Sequence, residues 1–140
     1  MKALGLDVGE RRIGLAVSDP LGMLASPVGF ISRKSLEQDL REVLRLAQER
    51  QVQCIIVGMP LSQAGEMGPQ AQRVQRFVQA LRQVSPVPVE TWDERYSTFE
   101  AEEMLRQAGV KPSREKGRAD AASAAVILQS YLDSIRSRSG

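Results

Sequence analysis

Leu36, Leu40, Val43, Leu44 and Ala47 recur at helical spacing and lead into the unbroken apolar stretch Ile55-Ile56-Val57-Gly58. A strand with no polar side is covered on both faces, which is the setting of a central parallel strand. Helix and strand together therefore imply a right-handed crossover from an earlier strand of the same sheet. The helix carries its own start signal, because Ser35 with Gln38 three residues later is a capping-box pattern.

Upstream the period differs. Residues 3 to 8 read as a first strand and Ile13 to Ser18 as a second, joined through Gly9-Glu10-Arg11-Arg12, a link short enough to imply an antiparallel hairpin. A third strand around Val28 to Ile31 follows the turn signal Asp19-Pro20-Leu21-Gly22. Downstream, the Gly- and Pro-containing segment Met59 to Pro69 reads as a loop before a helix carrying Ala71, Val74, Phe77, Val78 and Leu81. Val87 to Trp92 then reads as a short strand, placed at a sheet edge by its prolines. Ser97 and Glu100 open a further helix that Gly109 terminates, and Lys111 to Arg118 form a loose basic connection. The last helix is expected to start near Asp120 and is rich in alanine. The order β-β-β-α-β-α-β-α-α predicts an α/β domain with a mixed five-stranded sheet, three antiparallel strands then two parallel, flanked by helices. At 140 residues the chain is read as one domain, 1–140.

The chemistry is narrowed by what is missing. The chain has no histidine, so Ser-His-Asp and Cys-His pairs and histidine-ligated zinc cannot be built. Its one cysteine, Cys54, heads an apolar run and reads as a buried hydrophobe. No signal-peptide pattern or bilayer-length apolar stretch is present, so a soluble, cytoplasmic protein is expected, with no membrane partner. What remains is acidic. Asp7 ends an otherwise apolar strand, Asp93-Glu94 follow the last strand, and Asp120 shares a helical face with Ala124 and Ile127. Ligands of such sheets gather at the carboxyl ends of the parallel strands, so acids distant in sequence can be neighbours there. Converging carboxylates repel one another, and magnesium or manganese would offset that repulsion while orienting a water at a phosphodiester. Taken singly, Asp7 fits a turn, Asp93-Glu94 a charged helix approach and Asp120 an N-cap; their joint placement favours the site.

Net charge is only +2, from 19 Lys+Arg and 17 Asp+Glu, so the total does not announce a nucleic-acid binder. The distribution is more telling, with basic residues at Arg11-Arg12, at Arg33-Lys34, through Lys111, Arg114, Lys116 and Arg118, and at Arg136 and Arg138.

Several blocks resemble a known family: Leu4-Gly5-Leu6-Asp7-Val8-Gly9, Arg12-Ile13-Gly14, Val57-Gly58-Met59-Pro60 with Gly65 and Gly68, Asp93-Glu94-Arg95-Tyr96-Ser97-Thr98, and Lys116 with Asp120-Ala121-Ala122. Together they span nearly the whole chain and resemble YqgF/RuvX-type proteins. The resemblance implies an RNase H-like fold related to Holliday junction resolvases and a metal-dependent nuclease for the 5′ end of precursor 16S ribosomal RNA. It implies Asp7, Glu94 and Asp120 as catalytic residues and ligands of one or two Mg2+ or Mn2+ ions expected with substrate, with Asp93 the alternative to Glu94. Related resolvases present two acids one turn apart in the last helix, where this chain has Ser123 or Ala124 beyond Asp120. Arg11, Arg12, Arg95, Arg114, Lys116 and Arg118 are candidates for nucleic-acid contact, Arg95 also for orienting an acid, and Tyr96 for stacking on a base. Two other roles fit the same fold: a junction endonuclease in DNA recombination, and a non-catalytic RNA-binding or assembly module. The first hairpin also resembles that of actin-like ATPases and sugar kinases, whose second lobe 140 residues leave little room for. An RNA precursor or a DNA junction is the expected partner, and either a monomer or a homodimer is compatible with the sequence.

Overall fold

The structure, a computed structural model, describes residues 1–97, 99–109 and 116–139, with side chains left out at Lys116 and Ser139. Strands β1 (Ala3–Val8), β2 (Arg12–Ser18) and β3 (Ala25–Ser32) form an antiparallel meander. Helix α1 (Leu36–Glu49) crosses to β4 (Cys54–Met59), which runs parallel to β1, and α2 (Pro69–Val84) crosses to β5 (Val89–Asp93), parallel to β4. A 3-10 turn (Glu94–Tyr96) leads to α3 (Phe99–Gln107), and α4 (Lys116–Ser139) follows. The sheet order is β3-β2-β1-β4-β5, so the fold is the mixed five-stranded α/β sheet that the pattern implies. Ser35 caps α1 by accepting from the Gln38 N–H, as the capping box requires.

Successive side chains on a strand point to opposite faces, so each central strand feeds two cores. Leu4, Leu6 and Val8 of β1 and Ile55, Val57 and Met59 of β4 meet Val43 and Ala47 of α1 and Val74, Phe77 and Leu81 of α2. On the other face Ala3, Cys54 and Ile56 meet Leu105 of α3 and Ala124, Ala125, Leu128 and Leu132 of α4. Cys54 is buried, in keeping with its place in an apolar run.

The α4 face is packed unusually close. A Cβ on Gly14 would lie 2.0 Å from the Asp120 carbonyl oxygen, and one on Gly5 would lie 2.8 Å from Leu128 Cβ. The alanines of α4 form one side of this contact and Gly5 of β1 and Gly14 of β2 the other, leaving the helix almost on the sheet backbone.

Three boundaries differ from the pattern. β3 runs from Ala25 to Ser32, longer than expected, because an edge strand tolerates Pro27 and the irregularity opposite Leu15 and Ala16. β5 starts at Val89, beyond both prolines, and does lie at the sheet edge. α4 starts at Lys116, a turn before Asp120, so Lys116 to Arg118 are helical rather than loose connection. Gly117 is accommodated there because the Phe30 ring fills the space of its missing Cβ, with Cε1 2.2 Å from that position. Asp120 is therefore inside the helix and not its N-cap. Among the described residues no helix is long and apolar enough to cross a membrane.

Candidate active site

Strand register brings the acids together. Asp7 pairs with Gly14, Leu6 lies beside Val57, and Met59 lies beside Asp93, so the ends of β1, β4 and β5 share one edge. Parity then decides which acid faces which helix. On β5, Tyr131 of α4 donates to Glu90 at 2.9 Å, and Trp92 Nε1 donates to Ser130 of α4 at 3.0 Å. Continuing the alternation carries Glu94 to the α4 face, where Asp7 and Asp120 also lie, and Asp93 to the other. Gly58 makes room for Glu94: a Cβ there would stand 3.2 Å from Glu94 Cγ and 2.6 Å from Ile127 Cδ1.

The four carboxylates fall into two kinds. Asp93 is held by Arg95, whose Nε and Nη2 lie 2.9 and 2.6 Å from Oδ2, and the Arg95 backbone N–H adds a bond of 2.9 Å. These side-chain hydrogen bonds hold the Asp93 carboxyl below its ordinary range. Asp120 receives Arg12 Nε at 2.8 Å, with both side chains partly buried. Asp7 and Glu94 have no such cation among the described residues. Burial first, then the Asp120 charge, raises Asp7 to about 6. Burial first, then the charges of Asp7 and Asp93, raises Glu94 to about 7. At neutral pH the pair is thus a concentration of desolvated, mutually repelling charge.

Among the described residues, no three carboxylates stand close enough together to form a ready-made metal cage. Magnesium does not require one, since it is commonly held by one or two carboxylates and completed by water and substrate phosphate. The donor chemistry of Asp7 and Glu94, hard oxygens only, half-buried and without a cationic partner among the described residues, fits such an ion. Asp120 is committed to Arg12 in this conformation and faces the same edge.

Arg11 is exposed in the β1–β2 turn, and Arg118 is exposed on the first turn of α4, two residues before Asp120. Arg12 is engaged by Asp120, and Arg95 by Asp93 and by the Gln63 carbonyl at 3.2 Å. Arg95 thus ties the loop between β4 and α2 to the strand end, and Gly65, with φ 83°, lies against its guanidinium. Arg114 and the Lys116 side chain lie outside the described residues.

Two positioning groups escaped the sequence reading. Arg33, counted there as part of a basic cluster, donates to the Gly9 carbonyl at 2.9 Å and to buried Asp39 at 3.1 Å, and lies 5.5 Å over the Phe77 ring. Gln70 donates to the Val8 carbonyl at 3.1 Å. Both fix the turn that follows Asp7. Neither has a sequence signal, because each acts on a backbone carbonyl far away in the chain; Asp39, an acid on the buried stripe of an amphipathic helix, is the only hint.

An α/β sheet of this order beneath a closely packed final helix is an RNase H-like fold, and the family and relatives that the chain matches make it a nuclease, a hydrolase of phosphodiester bonds. The chain belongs to the RuvX family, described as "Holliday junction resolvase", whose model matches residues 1–134. It is 49% identical over 133 residues to a Chloroflexus aggregans protein named "Putative pre-16S rRNA nuclease", covering 95% of this chain and 94% of that one. A Synechococcus sp. (strain JA-3-3Ab) protein of the same name is 50% identical over 134 residues, covering 96% and 84%. Among solved structures, RuvC of Thermus thermophilus in complex with a Holliday junction substrate superposes with a TM-score of 0.66 at 16% identity, over 98% of this chain and 96% of that one. The Fowlpox virus resolvase with Holliday junction DNA gives 0.58 at 13% identity, over 96% and 99%. At these identities the two structures speak for the fold.

Proposed function

We propose that this chain hydrolyses phosphodiester bonds in processing the 5′ end of precursor 16S ribosomal RNA, with Mg2+ or Mn2+ held by Asp7 and Glu94 and with Asp120 as the third acid of the site. The observation that carries this reading is the half-buried pair Asp7–Glu94 at the carboxyl edge of the sheet, which has no cationic partner among the described residues. A divalent ion bound there would activate a water and stabilise the leaving oxygen. The protein supplies the rest. Asp7 is fixed by Arg33 and Gln70 through the turn after it, Glu94 is fixed by the room at Gly58, and Arg95 keeps Asp93 out of the site as an ion pair. Arg12 brings a positive charge to the flank of Asp120, where a phosphate oxygen can meet it. Arg11 and Arg118, exposed near the same edge, suit contacts with the nucleic-acid backbone. Arg114 and Lys116 share that role on the strength of the sequence alone. The names of the relatives support the ribosomal substrate, and such work lies in the cytoplasm.

A second reading, junction resolution in DNA, is favoured by the family description and by the resolvase fold. The test is to incubate the protein with either metal and a precursor 16S 5′ segment, single-stranded RNA and DNA, or a four-way junction, with Asp7→Asn as the blank. Cleavage of the precursor that disappears in Asp7→Asn is the expected result. Symmetric junction cutting would move the role to recombination. Binding without cleavage under either metal would leave a non-catalytic RNA-binding module.

A further inference from the structure

The chain has six aromatic residues, and three of them form one column beside Glu94. Tyr131 of α4 meets Trp92 of β5 edge-on with ring centroids 5.6 Å apart, and Trp92 meets Tyr96 at 5.6 Å with the planes tilted by 59°. The column is fixed by polar bonds as well. Trp92 Nε1 donates to the Ser130 hydroxyl, which in turn donates to the Tyr96 carbonyl at 2.5 Å. The Ser97 N–H closes the 3-10 turn on the Glu94 carbonyl at 3.0 Å. The backbone that carries the Tyr96 ring is therefore held by α4 and stands two residues beyond the acid, in the same 3-10 turn.

Tyr96 is nevertheless 55% exposed, and among the described residues its hydroxyl has no hydrogen-bond partner. Phe77 is buried in the α1–α2 core and Phe30 covers Gly117, so both rings serve packing. Phe99, 70% exposed, opens α3 three residues after Tyr96 and keeps the same corner apolar. A ring fixed from behind and open in front costs little entropy when a flat partner covers it.

We infer that Tyr96 is a stacking platform for one unpaired nucleobase of the strand whose phosphate lies at Asp7 and Glu94. The inference rests on the nuclease reading for the location of that strand. It goes beyond that reading in assigning a base subsite and a single-stranded substrate at the cutting point. Stacking uses the π-face common to every base, so the subsite is indifferent to sequence but demands that the nucleotide be unpaired.

The test uses full-length Asp7→Asn protein without metal, so that binding is measured apart from cleavage, and short single-stranded RNA carrying an abasic nucleotide at successive positions. Trp92, the only tryptophan, reports from beneath the ring. Adding Tyr96→Leu, which keeps an apolar group on Trp92 but has no π-face, should weaken single-strand binding roughly tenfold to a hundredfold. Tyr96→Phe should restore it. Binding of a blunt RNA duplex should be unchanged in both. One abasic position should weaken the Tyr96 protein yet have no effect on Tyr96→Leu, and the oligonucleotide should change Trp92 emission only with an aromatic ring at 96. Equal affinity of Tyr96→Leu and its parent, at matched melting temperature, overturns the inference, as does an abasic penalty that persists in Tyr96→Leu. If the wild-type protein cuts nothing while this pattern holds, the nuclease reading fails and the base subsite stands.

Discussion

The two halves of the acidic edge are built on opposite principles. Asp93 and Asp120 each face an arginine, at 2.6 and 2.8 Å, and are charges already answered by the fold. Asp7 meets burial and the Asp120 charge, Glu94 meets burial and the charges of Asp7 and Asp93, and no cation among the described residues answers either. A protein gains nothing in stability from such a pair, because ionising both in a desolvated place opposes folding. On the function proposed above, Asp7 and Glu94 are the pair set aside for an external cation, and Asp93, held by Arg95, is a structural charge despite lying next to Glu94 in sequence.

The contrast breaks most decisively in catalysis. Asp7→Asn and Glu94→Gln should each lower cleavage by about 10^3-fold or more, since several kcal/mol of charge stabilisation is withdrawn. Asp93→Asn should retain most of the activity. Initial rates on one substrate compare the three, and equal losses would erase the distinction between the two halves.

The next effect is on stability and has a definite sign. Folding raises the carboxyl pKa of Asp7 to about 6 and of Glu94 to about 7, so the native state binds protons that the unfolded chain releases. The stability permitted by this pair is complete below the ordinary carboxylate range and is lost as pH rises through 6 and 7. Asp7→Asn should therefore stabilise the metal-free protein by roughly 1–3 kcal/mol at pH 8 and by almost nothing at pH 4, measured by chemical denaturation. Magnesium should raise the wild-type melting temperature at pH 8 and leave Asp7→Asn unmoved. Cleavage by the proposed mechanism, in which both groups are ionised, should rise between pH 5 and 8.

Arg12→Gln sharpens the other half. It should lower stability by about 0.5–1 kcal/mol at low salt, with the difference shrinking at 1 M salt, because a partly exposed ion pair contributes little and is screened. A loss several times larger would mean that Asp120 is as poorly solvated as Asp7.

Much of this edge was legible in the sequence. Hydrophobic period gave the strands and the crossover; the meeting of Asp7 with Asp93-Glu94 followed from the expectation that parallel strands end at one edge, and that of Asp120 from the helical face it shares with Ala124 and Ile127. Glu94 against Asp93 could not be decided there, because parity depends on register, and register became visible only through the bonds of Glu90 and Trp92 to α4. The arginine partners were hidden for a related reason. Arg12 lies 108 residues from Asp120, and nothing in a linear pattern distinguishes a phosphate-facing arginine from one already taken by an acid. Gly14 was visible as a residue but not as the contact on which Asp120 rests.

The most direct test of the central claim is to follow the side-chain carboxyl carbons of Asp7, Asp93 and Glu94 by NMR across pH, with and without magnesium. Titration of Asp7 near 6 and Glu94 near 7, with Asp93 below the ordinary range, and a fall of the first two alone when magnesium is added, is what the structure predicts. Ordinary titration of all three, unmoved by magnesium, would contradict it.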